Sequence, residues 1–389
     1  MKLPFNFLPR LRRRFSHLST DGKSGDEDFF YIGESGSAPR DRPYAGLRDV
    51  LEKSLALWRE DALARRIVSL TTQFSVGRGF RIGSDDPKAD AVLHEFWDHP
   101  LNRMDIRIAE WSDELCRTGN LFIMLSSDIS GMSYVRAIPA VQVEEIISMP
   151  NDIEQPLFFR YREIMDGDLS KFPEEVTVPS ASLFEQSTEE RMLHFTVNRP
   201  AGGQWGEPDL APILKWLVRY DTWLEDRVRL NHYRASFLYI VKAFHQNEAQ
   251  RVQRQNQLNL RPPTPGSILV TCENEDWTIL RPELDSADAN EDGMAIKKMI
   301  AAGAGIPVSF LAETVSGSKA ENGGIEESAC RNFRQRQQTL MYITETVLRH
   351  VLQRAALVRR DVDPKAEIRV YGENISMPGM QEGGIIRGV

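Results

Sequence analysis

The sequence predicts an α+β protein in which short strands form one region and long helices form another. Three observations support this prediction. Apolar residues recur at helical spacing between Leu47 and Gln73, and six short segments rich in β-branched and aromatic residues follow between 121 and 197. Two longer segments, 208–234 and 325–358, then carry apolar residues along one helical stripe each.

Composition restricts the class of protein. The chain has 389 residues, of which 41% are hydrophobic and 27% charged, as in folded proteins of two or three domains. The formal net charge of -8 argues against a protein that coats nucleic acid along its whole surface, although it permits local contacts. Cys116, Cys272 and Cys330 lie far apart and form no CxxC pair, so neither a disulfide framework nor a zinc site is indicated.

Residues 1–44 are predicted to form a flexible arm, because they are rich in Ser, Gly, Asp and Pro. The start, MKLPFNFLPRLRRRF, places its charges after a short apolar stretch, which is the reverse of a secretory signal. No run reaches the roughly 18 apolar residues that span a bilayer. We therefore expect assembly in the cytoplasm and no membrane partner. The basic residues either touch nucleic acid or an acidic partner, or form a solvated tail.

Residues 45–207 are predicted to form the α+β unit. One helix covers 47–73, and two more cover 88–98 and 106–118, the last closed by Gly119. The strand segments that follow are separated by turns, which favours a small antiparallel sheet. These segments are LFIML (121–125), SYVRAI (133–138), VQVEEII (141–147), LFFRYRE (157–163), EEVTV (174–178) and MLHFTV, which ends at Val197.

Two long helices enclose an insert in the second part of the chain. The first, 208–234, would reach about 40 Å. The insert combines a strand at 236–244, an exposed polar helix and a strand at 267–272, and a further helix is predicted from Ser286 to Ala302. The second long helix, 325–358, is polar in its first half and apolar at core spacing in its second half. A strand, AEIRVYG (366–372), follows it.

The segment GAGIPVSFLAETVSGSKAENGG (303–324) places Lys319 in a loop rich in Gly and Ser. It is not a nucleotide-binding loop, because that motif requires G-x-x-x-x-G-K-[ST] after a buried strand, whereas Lys319 stands between Ser318 and Ala320. The alternative is a mobile loop exposed to solvent.

No catalytic, cofactor or metal site is predicted. In HEFWDH, His94 and His99 are five residues apart and therefore about 140° apart on a helix, which does not suit a shared zinc ion. The acidic strings CENEDW (272–277) and DSADANED (285–292) lack the order of a calcium loop, and the second suits the start of a helix, with Ser286 or Asp288 as its N-cap. No G-x-S-x-G elbow occurs.

The order of these segments resembles that of the portal proteins of tailed bacteriophages, the head–tail connector rings, of the type found in long-tailed phages. The resemblance extends from about Tyr44 to Met377 and depends on several weak motifs in the right sequence. These are CRTGNLFIML (116–125), AIPAVQVEEI (137–146), HFTVNRPAGGQWGEPDL (194–210) and AGAGIPVSFLAE (302–313).

The resemblance implies a portal fold with a wing, a helical stem, a small α/β clip and a minimal crown. It assigns the wing, first stem helix, clip, second stem helix and tunnel loop to 45–207, 208–234, 235–285, 286–312 and 313–324. Residues 325–389 would form a long kinked helix that returns to the wing and crown, followed by a C-terminal tail.

The resemblance also implies a function without catalysis. Portal proteins form rings, usually of twelve subunits, at one vertex of the virion capsid. Double-stranded DNA passes through the ring during packaging and ejection. The implied partners are the terminase large subunit, a head–tail adaptor protein and the major capsid protein, and no cofactor is implied.

Two groups of residues are candidates for contact with DNA. The first is the tunnel loop, in which Ser316, Ser318, Lys319 and Asn322 would form a collar repeated around the channel. The second is a set of arginines predicted on the stem and clip: Arg227, Arg234, Arg251 and Arg254.

Three other functions remain open from the sequence. A different head–tail connector or minor capsid component is one, although such proteins are usually shorter and lack paired long helices around an insert. A metal-dependent hydrolase using HEFWDH or the acidic strings is another. The third is a peripheral nucleic-acid or membrane adaptor that acts through the basic N-terminus.

Overall fold

A computed structural model describes residues 41–150, 152–163, 174–181, 189–235, 238–243, 247–260, 275–280, 289–311, 319–375 and 385–387. The helices are α1 (Tyr44–Glu60), α2 (Ala62–Val76), α3 (Pro87–Asp98), α4 (Met104–Thr118), α5 (Leu214–Ala235), α6 (Glu248–Leu260), α7 (Ala289–Ala304) and α8 (Lys319–Val358). The strands are β1 (Arg81–Ser84), β2 (Asn120–Ser127), β3 (Ser133–Ile138), β4 (Val143–Met149), β5 (Asp152–Glu163), β6 (Glu174–Pro179), β7 (Arg191–Thr196), β8 (Leu238–Ala243), β9 (Glu275–Leu280), β10 (Ile368–Glu373) and β11 (Ile385–Arg387).

The last residues of the predicted arm belong to the folded part of the chain. The Asp41 carboxylate accepts hydrogen bonds from the backbone N–H groups of Gln204 and Trp205, at 2.9 and 3.1 Å. Arg42 donates to Glu207 over 2.7 Å. The prediction of a flexible arm up to residue 44 is therefore wrong for 41–44, and the rest of that arm lies outside the described residues.

The helix predicted over 47–73 is two helices, α1 and α2, separated at Asp61. This residue has an extended backbone, with φ -93° and ψ 128°, and its carboxylate accepts a hydrogen bond from Ala64 N over 2.6 Å. An aspartate at this position is a good N-cap. The apolar spacing continues across the break, which is why periodicity alone predicted a single helix.

Gly119 ends α4, as the sequence predicted. Its φ is 70°, a left-handed conformation that glycine adopts without steric cost. A Cβ atom at this position would come within 2.3 Å of the Glu207 backbone. The glycine therefore both reverses the chain into β2 and lets the segment before α5 pass close behind it.

The predicted antiparallel strands form two sheets of three strands, ordered β3-β2-β7 and β4-β5-β6. A parallel bridge between Ser180 and Met192 links the segment after β6 to β7. β2 is the central strand of its sheet and is buried on both faces. Because side chains alternate along a strand, Ile123 faces one core and Phe122 faces another.

Two smaller sheets complete the described strands. β10 lies between β1 and β11, with all neighbours antiparallel. β8 and β9 pair with each other around the segment that contains α6. This second pairing corresponds to the compact insert that the sequence predicted between its long helices.

The largest core lies between α3, α4, the inner face of β2 and the second half of α8. All seven apolar residues predicted to be at core spacing in α8 are at most 1% exposed, and they are Leu340, Ile343, Val347, Leu348, Val351, Leu352 and Ala355. A second core joins α2 to the start of α5, the end of α7 and the first half of α8. The first half of α8 is thus less exposed than predicted, since Ala329, Cys330 and Phe333 are buried in it.

Candidate functional site

The predicted tunnel loop is shorter than the sequence indicated. Ser316 and Ser318 lie outside the described residues, whereas Lys319 and Asn322 lie on the backbone of the first turns of α8. The helix begins at 319 rather than 325, so a loop over 313–324 is a wrong prediction for its last part. Gly323 and Gly324 were interpreted as helix breakers, but each glycine costs a helix only about 1 kcal/mol relative to alanine.

The four predicted arginines lie on two helices. Arg227 and Arg234 are seven residues apart on α5, which places both on one side of that helix. Arg251 and Arg254 lie on α6. Arg251 is already paired with Glu248, with Nη2 2.5 Å from Oε1. Contact of these arginines with DNA stays a prediction.

The helices α5 and α7 pack closely along one side. The Trp223 indole lies over Gly293, where a Cβ atom would be 2.5 Å from the ring. Tyr220 stacks on Trp223 with ring centroids 5.8 Å apart, and the Lys297 ammonium is 5.5 Å from the Tyr220 centroid. The glycine inside α7 therefore permits the approach of an aromatic ring from α5.

The other side of α5 exposes apolar side chains. Val218, Leu224 and Val228 are 53%, 41% and 68% exposed. At 100° per residue they fall within a sector about 120° wide. On α7, Met299 is also 47% exposed. We call these four residues the helix-pair patch. Contiguous exposed apolar residues of this kind are typical of a surface that contacts another chain.

One turn of α8 is bonded to both helices of the pair. Arg336 donates two hydrogen bonds from Nη2 to the Asp209 carboxylate just before α5, at 2.7 and 2.8 Å. Asn332, four residues earlier, donates to the Gly305 carbonyl just after α7, at 3.0 Å. The start of α5 and the end of α7 are therefore held by the same helix.

Asp209 is the centre of a partly buried polar network. Asn198 Nδ2 donates to its carboxylate over 2.6 Å, in addition to Arg336. Burial lowers the pKa of the Arg336 guanidinium, but the Asp209 charge outweighs burial and the pKa is raised on balance. Burial, together with Asp209, raises the pKa of the Cys116 thiol well above its usual value. Cys116 therefore stays a neutral thiol, which argues against a role as a nucleophile.

A crevice of about 830 Å³ opens beside this network. Its lining comes from α8, the turn after α7, the segment before α5 and the end of β7. Three arginines, Arg42, Arg199 and Arg336, and two carboxylates, Glu207 and Asp209, are among the lining residues. The crevice is thus a polar opening with a net positive lining, next to the helix pair.

The two histidines of HEFWDH serve the local fold. His94 lies 3.9 Å from the Asp90 carboxylate one turn earlier on α3. His99 Nδ1 accepts a hydrogen bond from Leu101 N at 3.2 Å, and its ring packs edge-on against Tyr134. In the ranges that the structure describes, no group of three or more His, Cys, Asp or Glu residues is arranged to hold a metal ion.

The acidic string DSADANED is described only in part. Glu291 and Asp292 lie in the first turn of α7, where negative charge favours the helix dipole. Ser286 and Asp288, the predicted N-caps, and the start of CENEDW lie outside the described residues. Among the described helices, none is both long enough and apolar enough to cross a membrane.

Sequence reasoning missed the pair of Arg336 and Asp209, which are 127 residues apart. No local pattern links residues at such a distance. The motif HFTVNRPAGGQWGEPDL nevertheless contains Asn198 and Asp209. Its place in the resemblance was noticed, and the structure gives the physical reason, since this segment passes behind Gly119 and ends on the polar network.

No family model matches the chain, and no curated protein matches it. Solved structures do match. A chain in the virion of a native gene transfer agent particle is similar with a TM-score of 0.54 and 11% identity, over 85% of this chain and 83% of that chain. A chain in the neck of the native particle, computed with C12 symmetry, has a TM-score of 0.51 and 9% identity, over 81% and 82% of the two chains.

A weaker likeness is found to the crystal structure of an HK97-family phage portal protein from Corynebacterium diphtheriae. The TM-score is 0.40 with 12% identity, over 77% of this chain and 89% of that chain. At such identities, similarity establishes the fold and leaves the function to be argued. The resemblance predicted from the sequence is confirmed at that level: the chain has a mixed α+β, portal-like fold, shared over most of its length with chains of the gene transfer agent virion and neck.

Proposed function

We propose that this chain is a subunit of a portal ring at one capsid vertex of a phage-like virion. Double-stranded DNA would be packaged and later ejected through the ring. The observation that carries this proposal is the match to the gene transfer agent virion chain over 85% of this chain. A similarity that includes helices, sheets and the insert together supports a common architecture more strongly than a match of one domain.

The portal architecture gives each part of the chain a proposed place. Residues 45–207 would be the wing and 325–389 the return to the wing and a minimal crown. α5 and α7 fall within the proposed stem helices, 208–234 and 286–312. The paired strands β8 and β9 with α6 fall within the proposed clip, 235–285. The kink proposed for the long helix would lie within α8, which runs from Lys319 to Val358.

The helix-pair patch supports assembly into a ring. The exposed Val218, Leu224 and Val228 gain a partner if α5 of one copy packs against a neighbouring copy. The related neck structure was computed with C12 symmetry. We therefore propose twelve copies, arranged so that each patch meets a different surface of the next subunit.

A net charge of -8 suits a channel through which DNA slides. Each phosphate that a lysine or arginine neutralises adds salt-sensitive affinity, so a densely basic channel would retain DNA. We propose that contact is limited to a few groups. These are the collar residues Ser316, Ser318, Lys319 and Asn322, together with the four arginines of α5 and α6 named above.

The proposed ring is structural and needs no cofactor. The clip would bind the terminase large subunit during packaging and a head–tail adaptor protein afterwards. The wing would contact the major capsid protein. Assembly would take place in the host cytoplasm before incorporation into the virion.

The proposal is tested by the size and shape of the purified full-length protein. Native mass spectrometry should give a species of about twelve chains of 44.3 kDa each. Negative-stain electron microscopy should show rings with an axial hole. A monodisperse monomer at high protein concentration, under several ionic strengths, would contradict the proposal.

A further inference from the structure

The crevice beside α8 contains a hydrogen-bond donor that the described part of the chain leaves unused. Arg336 Nη2 is bonded to Asp209, but Arg336 Nη1 is buried and has no hydrogen-bond partner among the described residues. A buried guanidinium nitrogen without an acceptor is unfavourable, because it has lost water and gained nothing in return. The crevice therefore suits an acceptor brought from outside.

Charge indicates what kind of acceptor fits. Arg42 is paired with Glu207 at 2.7 Å and Arg336 with Asp209 at 2.7 Å. Arg199, the third arginine of the lining, lies 3.4 Å from Glu154, which is not a lining residue. The lining thus has one positive charge more than its own carboxylates balance. A carboxylate is the acceptor that satisfies both the charge and the geometry of a guanidinium.

The rim of the crevice is apolar. Gln335, Thr339 and Tyr342 follow at intervals of four and three residues on α8, so they share one side of that helix. The first two line the crevice, and the Tyr342 side chain beyond them is 62% exposed. On α7, the 47% exposed Met299 lies one turn before the lining residue Gly303. Exposed aromatic and Met side chains next to a polar recess are typical of a protein interface.

We propose that the crevice receives a carboxylate side chain from a second copy of this chain, with Tyr342 and Met299 packing against the incoming segment. This inference rests on the proposed ring. Three features favour a second copy over a small anion: the crevice is wide, its rim is apolar, and the chain has an excess of acidic residues, with 56 Asp and Glu against 48 Lys and Arg. A ring also brings a different surface of the neighbour to each subunit.

The test uses the full-length protein with a photoreactive phenylalanine analogue at Thr339. After ultraviolet irradiation of assembled rings, we expect covalent dimers on a denaturing gel. Peptide mapping should place the linkage on a segment of the neighbouring chain that contains Asp or Glu. Rings that form normally but give no crosslink would overturn the crevice proposal and leave the ring itself intact.

A matched pair of variants tests the charge. Gln335 lies at the mouth of the crevice and is exposed. Gln335→Glu should reduce the fraction of protein in rings at least tenfold, because it repels the incoming carboxylate, whereas Gln335→Lys should retain rings. Both monomers should melt as the unchanged chain does. Equal ring formation by the two variants would overturn the proposal.

Two further outcomes are informative. If inorganic phosphate stabilises the monomer and the stabilisation is lost in Arg336→Lys, while ring formation ignores the charge at Gln335, the crevice is a small-anion site and the second-copy proposal is overturned. If the unchanged chain forms no rings under any condition, both the crevice proposal and the proposed function fail.

Discussion

The second half of α8 and the outer side of α5 have the same kind of sequence and opposite environments. Both carry apolar residues at helical spacing. In α8 the side chains of Leu348 and Val351 are at most 1% exposed, whereas Val218 and Val228 of α5 are more than half exposed. The comparison shows that periodicity identifies an apolar side of a helix but does not identify what covers it.

The difference comes from the neighbours of each helix. α8 lies against α3, α4 and the central strand β2, which together enclose its second half. After Leu217, the last fully buried residue near its start, α5 has only α7 beside it within the described structure. The same apolar stripe is therefore part of a core in one helix and is available for another chain in the other.

The largest expected effect concerns the buried side of this comparison. Leu348→Ala removes a side chain with 0% exposure and leaves a cavity, so the free energy of unfolding should fall by about 3 kcal/mol. Leu357→Ala, on the same helix but with 43% exposure, is the matched control and should cost less than about 0.5 kcal/mol. Urea unfolding of the two variants measures the difference. Similar losses at both positions would show that the second half of α8 is not a core helix.

Acid should weaken the buried region next. Burial lowers the pKa of His194 to about 3, well below its ordinary value of 6.5. Because the unfolded chain binds this proton more readily, His194 supports full stability above about pH 6.5, and that support declines as the pH falls toward 3. Lowering the pH from 7 to 5 should cost about 2 kcal/mol through this residue.

Urea unfolding at pH 7 and pH 5 tests the assignment. In His194→Gln the difference between the two pH values should shrink, whatever the stability of that variant at pH 7. His94→Gln changes a half-exposed histidine and should leave the pH difference as it is. If His194→Gln keeps the full pH dependence, the titrating group lies elsewhere.

On the exposed side of the comparison, stability and assembly should respond separately. Val228→Asp changes a 68% exposed residue, so the monomer should lose less than about 0.5 kcal/mol. In the ring it would bury a carboxylate without a partner, and the ring fraction should fall at least about tenfold. Ile129→Asp is the control, since Ile129 is 98% exposed on the turn between β2 and β3. Native mass spectrometry measures both, and intact rings in Val228→Asp would contradict the role of the helix-pair patch.

The smallest effect on folding is expected at Lys319. Lys319→Ala should leave ring assembly and stability unchanged and reduce DNA retention or packaging by no more than about tenfold, since each subunit loses one phosphate contact. Lys319→Arg, which keeps the charge, should behave as the unchanged chain. The amount of nuclease-protected DNA per particle measures retention. Equal retention in all three proteins would refute a role for Lys319 in the collar.

Much of the fold follows from local patterns in the sequence. Gly119 could be predicted as the end of α4 because a helix before a strand needs a residue that adopts positive φ. The segment SYVRAI coincides with β3, from Ser133 to Ile138. The buried residues of α8 were predicted individually, since a strict helical repeat over five turns leaves little alternative.

Other features depend on contacts that local patterns do not encode. The break at Asp61 was missed because one capping aspartate interrupts an otherwise continuous apolar repeat. The start of α8 was placed too late because two glycines were given more weight than the helix around them. The crevice and its pair, Arg336 and Asp209, require the packed chain, since their elements are far apart in sequence.

The two bonds from one turn of α8 have a mechanical consequence. Because Asn332 holds the end of α7 and Arg336 holds the start of α5, the helix pair has a single attachment about as long as one helical turn. A force on the far end of the pair, where β8 and β9 lie, would act through a long lever on that turn. We expect the two helices to tilt together about this pivot, and the displacement to reach the helix that begins at Lys319.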